Sequence, residues 1–585
     1  MLASVSLAVA ALVGASLVSA SHHHSVTEPK ATVKNGSYHG LHNDFYNVDY
    51  FLGMPYAQPP TGDLRLALPV SLNSSFDTRN ATELGPGCIE FSIAGYDRPL
   101  SEDCLSVNVY RPSGYENEKL PVLVWIYGGG FVQGLNADPR YNLTFLVKNS
   151  VDMGKPIVAA SINYRLNGFG FLDSPQIREA GLSNLGLRDQ RLALHWIQEN
   201  IDAFGGDPSK VTIWGQSAGA MSVGSQILAF GGRNDSLFRA AIADSGGPLG
   251  AQPPTANASL ATWNSIVNLT GCTSAQDRIS CLRSVSVANY TNAVNNTSGS
   301  YFPVYDGDFL PTYNSVQIKS GQFLKVPLLI GSNADEGTDF VGGAPYIGAL
   351  PSKSYPDKTS FLNVAQGYVR NSSQLDAALA ALSVLYPDIP SIGTPSTYHG
   401  RLNATFGAQY ARVASLAGDL NIHRGRRLSA QSWIKYGLPI YSYHFAAWPI
   451  GGLPDYTGTT HFTEIQLVFD NEYGNGYLYP WYPSGSEFAG QGKSLIALAK
   501  LMSRMWISFV NDLTPNNHGL KHDSNGHSIP EWPLYAANVS DALNGYGVNY
   551  RFDQAEKGLA IIEPDTWRAE ALAYLIDNSD NIFGS

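Results

Sequence analysis

Val211-Thr212-Ile213-Trp214-Gly215-Gln216-Ser217-Ala218-Gly219-Ala220 is the stretch from which the rest of the chain can be read. A short continuous apolar run passes through G-x-S-x-G into a segment suited to a helix. A serine on such a strand-to-helix turn is held with its Oγ exposed at the end of a sheet, and small neighbours let the turn close. The helix beginning there aims its first N–H groups and its positive dipole end at developing negative charge. The bare motif also arises by chance. The strand–turn–helix setting makes Ser217 a candidate nucleophile rather than an ordinary structural serine.

Working outward, the same kind of run recurs at residues 122–127, 157–162 and 327–330. Continuous β-branched and aliphatic runs of this length fit strands buried on both faces, as in a parallel sheet covered by helices. Between them, residues 186–204 carry Ala193, Ile197, Ile201 and Phe204 at offsets of four, four and three, one apolar stripe of a helix. Strand, helix and strand in repetition predict an α/β fold with right-handed crossovers. Further on, residues 494–513 and 566–576 read as helices and 440–445 as a late strand. No repeat or linker divides the chain, so one domain over residues 21–585 is expected.

The chain has 585 residues, 44% of them apolar and 15% charged, which is enough to build a large core and excludes intrinsic disorder. A net charge of −11 with no Lys/Arg run excludes nucleic acid and anionic membrane surfaces as partners. Residues 1–20 form an apolar, small-residue stretch ending Val18-Ser19-Ala20, which reads as a secretory signal peptide rather than an anchor. His22, His23 and His24 follow it and read as inert. Cys88, Cys104, Cys272 and Cys281 allow three pairings. The sequence-local one, Cys88 with Cys104 and Cys272 with Cys281, is preferred, and none has metal-site spacing. About thirteen Asn-x-Ser/Thr sites, among them Asn35, Asn80, Asn142, Asn268, Asn371, Asn403 and Asn538, fit an exported glycoprotein.

The stretch from Phe204 through Ser217 to Gly219 resembles the signature of the type-B carboxylesterase/lipase family within the α/β-hydrolases. The likeness runs from about Phe51 to Trp532. It includes residues 51–65, Ser101-Glu102-Asp103-Cys104-Leu105, Asn163-Tyr164-Arg165, residues 168–172, Gly186-Leu187-Arg188-Asp189-Gln190-Arg191 and Pro530-Glu531-Trp532-Pro533. Secreted fungal carboxylesterases are the members it is most similar to. The resemblance implies an α/β-hydrolase fold and acyl transfer with neither metal nor organic cofactor. It also implies that the N–H groups of Gly129, Gly130 and Ala218 form an oxyanion hole.

An acyl-transferring serine also needs a base and a group to orient it. In Gly331-Ser332-Asn333-Ala334-Asp335-Glu336-Gly337 the family motif places the acid at Glu336, with Asp335 as the alternative. The base follows in chain order, and Thr459-Thr460-His461-Phe462-Thr463-Glu464 resembles the family's histidine motif. Glycine is common after that histidine. Phe462 stands here, which suggests a differently shaped loop. His444 reads as a structural histidine in a strand, and His518, His522 and His527 as exposed loop residues. The resemblance further implies the ion pairs Arg65–Glu102 and Arg165–Asp189.

In many relatives the first disulfide closes a long flap over the active site. Only 15 residues separate Cys88 from Cys104 here, which favours an esterase acting on soluble or dispersed esters over a lid-gated lipase. Gln216 precedes the serine where cholinesterases carry Glu, so choline esters are disfavoured. An interfacial lipase or steryl esterase is the alternative. A non-catalytic binding protein of the same fold is the alternative of another class, and the intact trio Ser217, Glu336 and His461 argues against it.

Overall fold

The apolar runs become the middle of one eleven-stranded sheet. The computed structural model describes residues 28–585 except 92–97, 251, 342–352, 449–454, 478–492, 524, 536–545 and 554–557. The expected signal peptide, His22 to His24, part of the Cys88–Cys104 loop and Asn538 lie outside the described residues.

In chain order the strands are β1 (Leu41–Asn43), β2 (Val48–Pro55), β3 (Ser106–Pro112), β4 (Leu120–Ile126), β5 (Val158–Ile162) and β6 (Gly206–Gln216). They continue as β7 (Ala240–Asp244), β8 (Leu328–Asn333), β9 (Ile440–Phe445), β10 (Val548–Phe552) and β11 (Ala560–Pro564). Across the sheet the order is β11-β10-β9-β8-β7-β6-β4-β5-β3-β2-β1. From β10 to β5 every pairing is parallel. The two edges pair antiparallel.

Every residue of β5, β7 and β8 is buried, as two-sided coverage requires. Flanking the sheet are α1 (Leu185–Asn200), α2 (Ala218–Gly232), α4 (Arg424–Lys435) and α5 (Lys493–Asp512), while α3 (Tyr410–Gly418) leads toward α4 and α6 (Ala569–Asp577) packs on α4. The stripe read on α1 is buried, its last two members lying in the 3-10 turn Ile201–Phe204. A second, smaller apolar cluster gathers around α3 and α6. Both disulfides take the sequence-local pairing, Cys88–Cys104 and Cys272–Cys281. Among the described residues no helix is long and apolar enough to cross a membrane.

Register puts the strand ends side by side. Ile126 pairs with Gly215, Gln216 with Asp244, and Asp244 with Gly331. The loops leaving β4, β6, β7 and β8 therefore converge at the carboxyl edge of the sheet, where ligands bind in open parallel sheets.

Both ion pairs are formed, with side chains nearly out of water. Arg65 Nε and Nη2 donate to the two oxygens of Glu102 at 2.5 and 2.9 Å. Arg165 Nε and Nη2 donate to Asp189 at 2.8 and 2.7 Å. Arg65 also donates to the carbonyls of Leu282 and Val285, tying an N-terminal turn to the second disulfide. A buried pair is costly mainly when one partner is removed, because the other charge is then stranded. Glu102→Ala should therefore lower stability by about 3–5 kcal/mol in urea unfolding. Arg65→Met in the same chain should recover part of that loss, and a melt unchanged by Glu102→Ala would show the pair to be idle.

Candidate active site

The turn after β6 closes because two of its residues lack side chains. A Cβ on Gly219 would sit 2.0 Å from the carbonyl oxygen of Ile126, and one on Gly215 would sit 2.4 Å from the Gly219 carbonyl. Ser217 takes φ 56° and ψ −125°, a conformation that L-residues adopt only under constraint. Its N–H donates to the carbonyl of Asp244 at 2.9 Å, which fixes the turn to β7. Its Oγ makes no hydrogen bond among the described residues and lines an open cleft of about 320 Å³.

The loop after β4 faces it. Gly129 and Gly130 have φ of 105° and 63°, the region glycine enters without steric cost. Their N–H groups have no protein acceptor among the described residues. That of Ala218 opens α2, where no intrahelical acceptor exists. Gly128, Gly129, Gly130 and Ser217 line the same cleft.

Glu336 opens the 3-10 turn Glu336–Thr338 that follows β8. This turn lies backbone against backbone on α3: a Cβ on Gly337 would meet the Ala414 carbonyl oxygen at 1.8 Å. The carboxylate is fully buried. One oxygen accepts from Ser245 Oγ at 2.6 Å and from Asn333 N–H at 2.7 Å. The other lies 2.5 Å from His461 Nδ1. The alternative acid, Asp335, points elsewhere. It accepts from Ser396 N–H at 2.7 Å and from Thr459 N–H at 2.9 Å, holding the histidine loop in place.

His461 is buried, with Phe340 against its ring at 5.1 Å between centroids. Its Nε2 lies 3.4 Å from the Gln216 side-chain nitrogen, and His461 and Ser217 line the same cleft. Burial alone would push the imidazole's pKa down. The Glu336 carboxylate outweighs it, with Asp339 and Glu464 adding, and raises the value to about 9.

Phe462 occupies φ 78°, backbone space that glycine favours. A non-glycine residue there costs about 1–3 kcal/mol. Its ring packs over Arg140 at 4.9 Å and edge-on to Tyr141 at 6.0 Å, on the cleft wall.

Several neighbours escaped the sequence reading. Ser245 directly follows β7, and its hydroxyl also lies 3.3 Å from Glu464. Glu464 follows His461 by three residues on the same turn and accepts from Asn333 Nδ2 at 2.6 Å. Burial, then the Glu336 and Asp244 carboxylates, raise its pKa. Asp339 brings an anion into the cleft that the reading of Gln216 did not anticipate. The structure also revises the reading of His518, which is buried rather than exposed, its Nδ1 accepting from Leu520 N–H at 3.3 Å. His444 lies in β9 and pairs with Glu563 at 2.6 Å, a structural position as expected.

A model of the carboxylesterase family matches residues 27–557. The chain is 35% identical over 459 residues to the secreted triacylglycerol lipase LIP1 of Gibberella zeae, covering 72% of this chain and 75% of that protein. It is 34% identical to secreted lipase 1 of Botryotinia fuckeliana, covering 89% and 88%. Among solved structures, EstA of Aspergillus niger superposes with a TM-score of 0.77 at 28% identity, covering 94% of this chain and 98% of that one. Sheet order, site placement and these likenesses agree: the chain belongs to the carboxylesterase family and has the α/β-hydrolase fold.

Proposed function

We propose that this chain is a secreted serine hydrolase of carboxylic esters working through an acyl-enzyme on Ser217, with His461 as base and Glu336 as its orienting acid. Residues 1–20 are removed on export, residues 21–585 act as one domain, and sugar is carried at exposed sites such as Asn80, Asn268 and Asn403. Secretion is supported by the leader-like N-terminus and by relatives named as secreted.

The observation that carries the reading is the buried Glu336–His461 contact of 2.5 Å beside an unbonded serine hydroxyl. Ser217 Oγ attacks the ester carbonyl while His461 Nε2 takes its proton. Glu336 steadies the imidazolium, and the N–H groups of Gly129, Gly130 and Ala218 hold the oxyanion. The proton passes to the departing alcohol. Water, deprotonated by the same nitrogen, then attacks the acyl-enzyme and releases the acid.

The relatives' lipase names support a second reading, hydrolysis of long-chain glycerides at an interface. A p-nitrophenyl ester series from acetate to palmitate, with an emulsified triacylglycerol beside it, separates the two. The esterase reading expects the highest kcat/KM at short acyl chains and no jump in rate when emulsion forms. A maximum at long chains with interfacial activation selects the lipase. No turnover of any ester overturns both.

A further inference from the structure

Among the polar side chains of the cleft, Asp339 has no role in holding the site together. It lies three residues beyond Glu336, at the end of the turn that carries that acid, and lines the cleft with Ser217 and His461. Among the described residues its carboxylate accepts no hydrogen bond and forms no ion pair. The cation on the cleft wall, Arg140, is engaged by Asp138, with Nη2 at 2.6 Å and Nε at 3.0 Å from the same oxygen. Phe340, Phe462 and Val132 are apolar members of the same cleft lining. Burial pushes its carboxyl up to about 6, with His461 lowering it and Glu336 raising it, so the group is chiefly an anion at neutral pH. A partly desolvated carboxylate with no protein donor is costly unless something else supplies one.

We propose that Asp339 is a specificity-determining residue whose carboxylate accepts from a hydroxyl or ammonium group carried on the substrate beside its reacting carbonyl, and that it rejects anionic esters. The inference rests on the hydrolase reading above. An ester with a donor satisfies Asp339 on binding, whereas a plain alkyl ester leaves the anion desolvated and unpaired. A site built to pair a polar group discriminates more strongly against its absence than an apolar pocket discriminates against an extra methylene.

The test compares p-nitrophenyl butyrate, 3-hydroxybutyrate and hemisuccinate on the full-length protein and on Asp339→Asn and Asp339→Leu. In the wild type, kcat/KM for the hydroxy ester should exceed that for butyrate by roughly tenfold, with the hemisuccinate lowest. Asp339→Leu should erase the hydroxy preference, read as the ratio of the two kcat/KM values so that any change at His461, common to both esters, cancels. Asp339→Asn, which retains a carbonyl acceptor, should keep part of the preference but admit the hemisuccinate. Thermal melts establish that both variants are folded, and the isosteric Asn variant serves if Leu does not fold. Ratios unchanged in both variants, with butyrate hydrolysed normally, overturn the role of Asp339 alone. No hydrolysis of any of the three esters by the wild type overturns the hydrolase reading with it.

Discussion

Ser217→Ala is expected to lose at least about 10^4-fold in kcat on any ester the protein turns over, while melting within a few degrees of the parent. Stability is spared because Ser217 Oγ makes no hydrogen bond among the described residues, so its removal orphans no buried partner. Nor is new backbone strain added: alanine and serine bear the same burden at φ 56°, and Asp244 still receives the backbone N–H. The loss in rate is large because the proposed route forms its acyl-enzyme on this oxygen. The backbone donors at Gly129, Gly130 and Ala218 survive the change. They should leave a residual acceleration over water, since an oxyanion hole and bound substrate retain some catalysis without the nucleophile. Stopped-flow release of p-nitrophenol would check the step itself. The parent should release a burst stoichiometric with enzyme wherever deacylation is slow, and the variant none. A variant that keeps more than about a tenth of the parent's rate would remove Ser217 from the chemistry.

The parts of this site differ in how legible they were, for physical reasons. β4, β5 and β8 could be read because strands covered on both faces need unbroken apolar runs. β7, Ala240–Asp244, was missed because alanine carries little strand preference, and its place comes from being paired between β6 and β8. The outer strands β1 to β3, β10 and β11 were missed as well, since polar residues interrupt their apolar runs. Ser217 and the glycines after β4 were legible because the turn geometry restricts the residues allowed within a few positions. Glu336 and Asp335 were harder to separate. They are adjacent, and what distinguishes them is that one faces His461 and the other faces Thr459 and Ser396. Ser245 and Asn333 reach Glu336 from the ends of two different strands, a convergence made by sheet register and carried by no local motif. Asp339 was hidden by its proximity to the motif, where an acid reads as surface until a cleft is seen beside it.

Glu336→Gln tests the orienting role more sharply than removal would, because the amide keeps the shape and must choose how to lie. Ser245 Oγ and Asn333 N–H both donate to one oxygen of the present carboxylate. The Gln carbonyl will turn to those two donors, which aims its NH2 at His461 Nδ1. That nitrogen must then accept, and the ring proton moves to Nε2, the atom that has to be free to take the proton from Ser217. The wrong tautomer in an intact frame costs about 10^4-fold in kcat in a serine hydrolase. The pH profile supplies a readout that mere misfolding would not. In the parent the Glu336 carboxylate, against burial, raises His461 to about 9, so activity should fall with acid along a limb lying above the ordinary histidine value of about 6.5. Removing that charge leaves burial to dominate, and the limb of the residual activity should move to lower pH. Because the two residues act as a unit, Ser217→Ala/Glu336→Gln should be hardly slower than Ser217→Ala alone. A Glu336→Gln enzyme within tenfold of the parent, with its acid limb unmoved, would mean that the 2.5 Å contact holds the histidine loop and takes no part in catalysis.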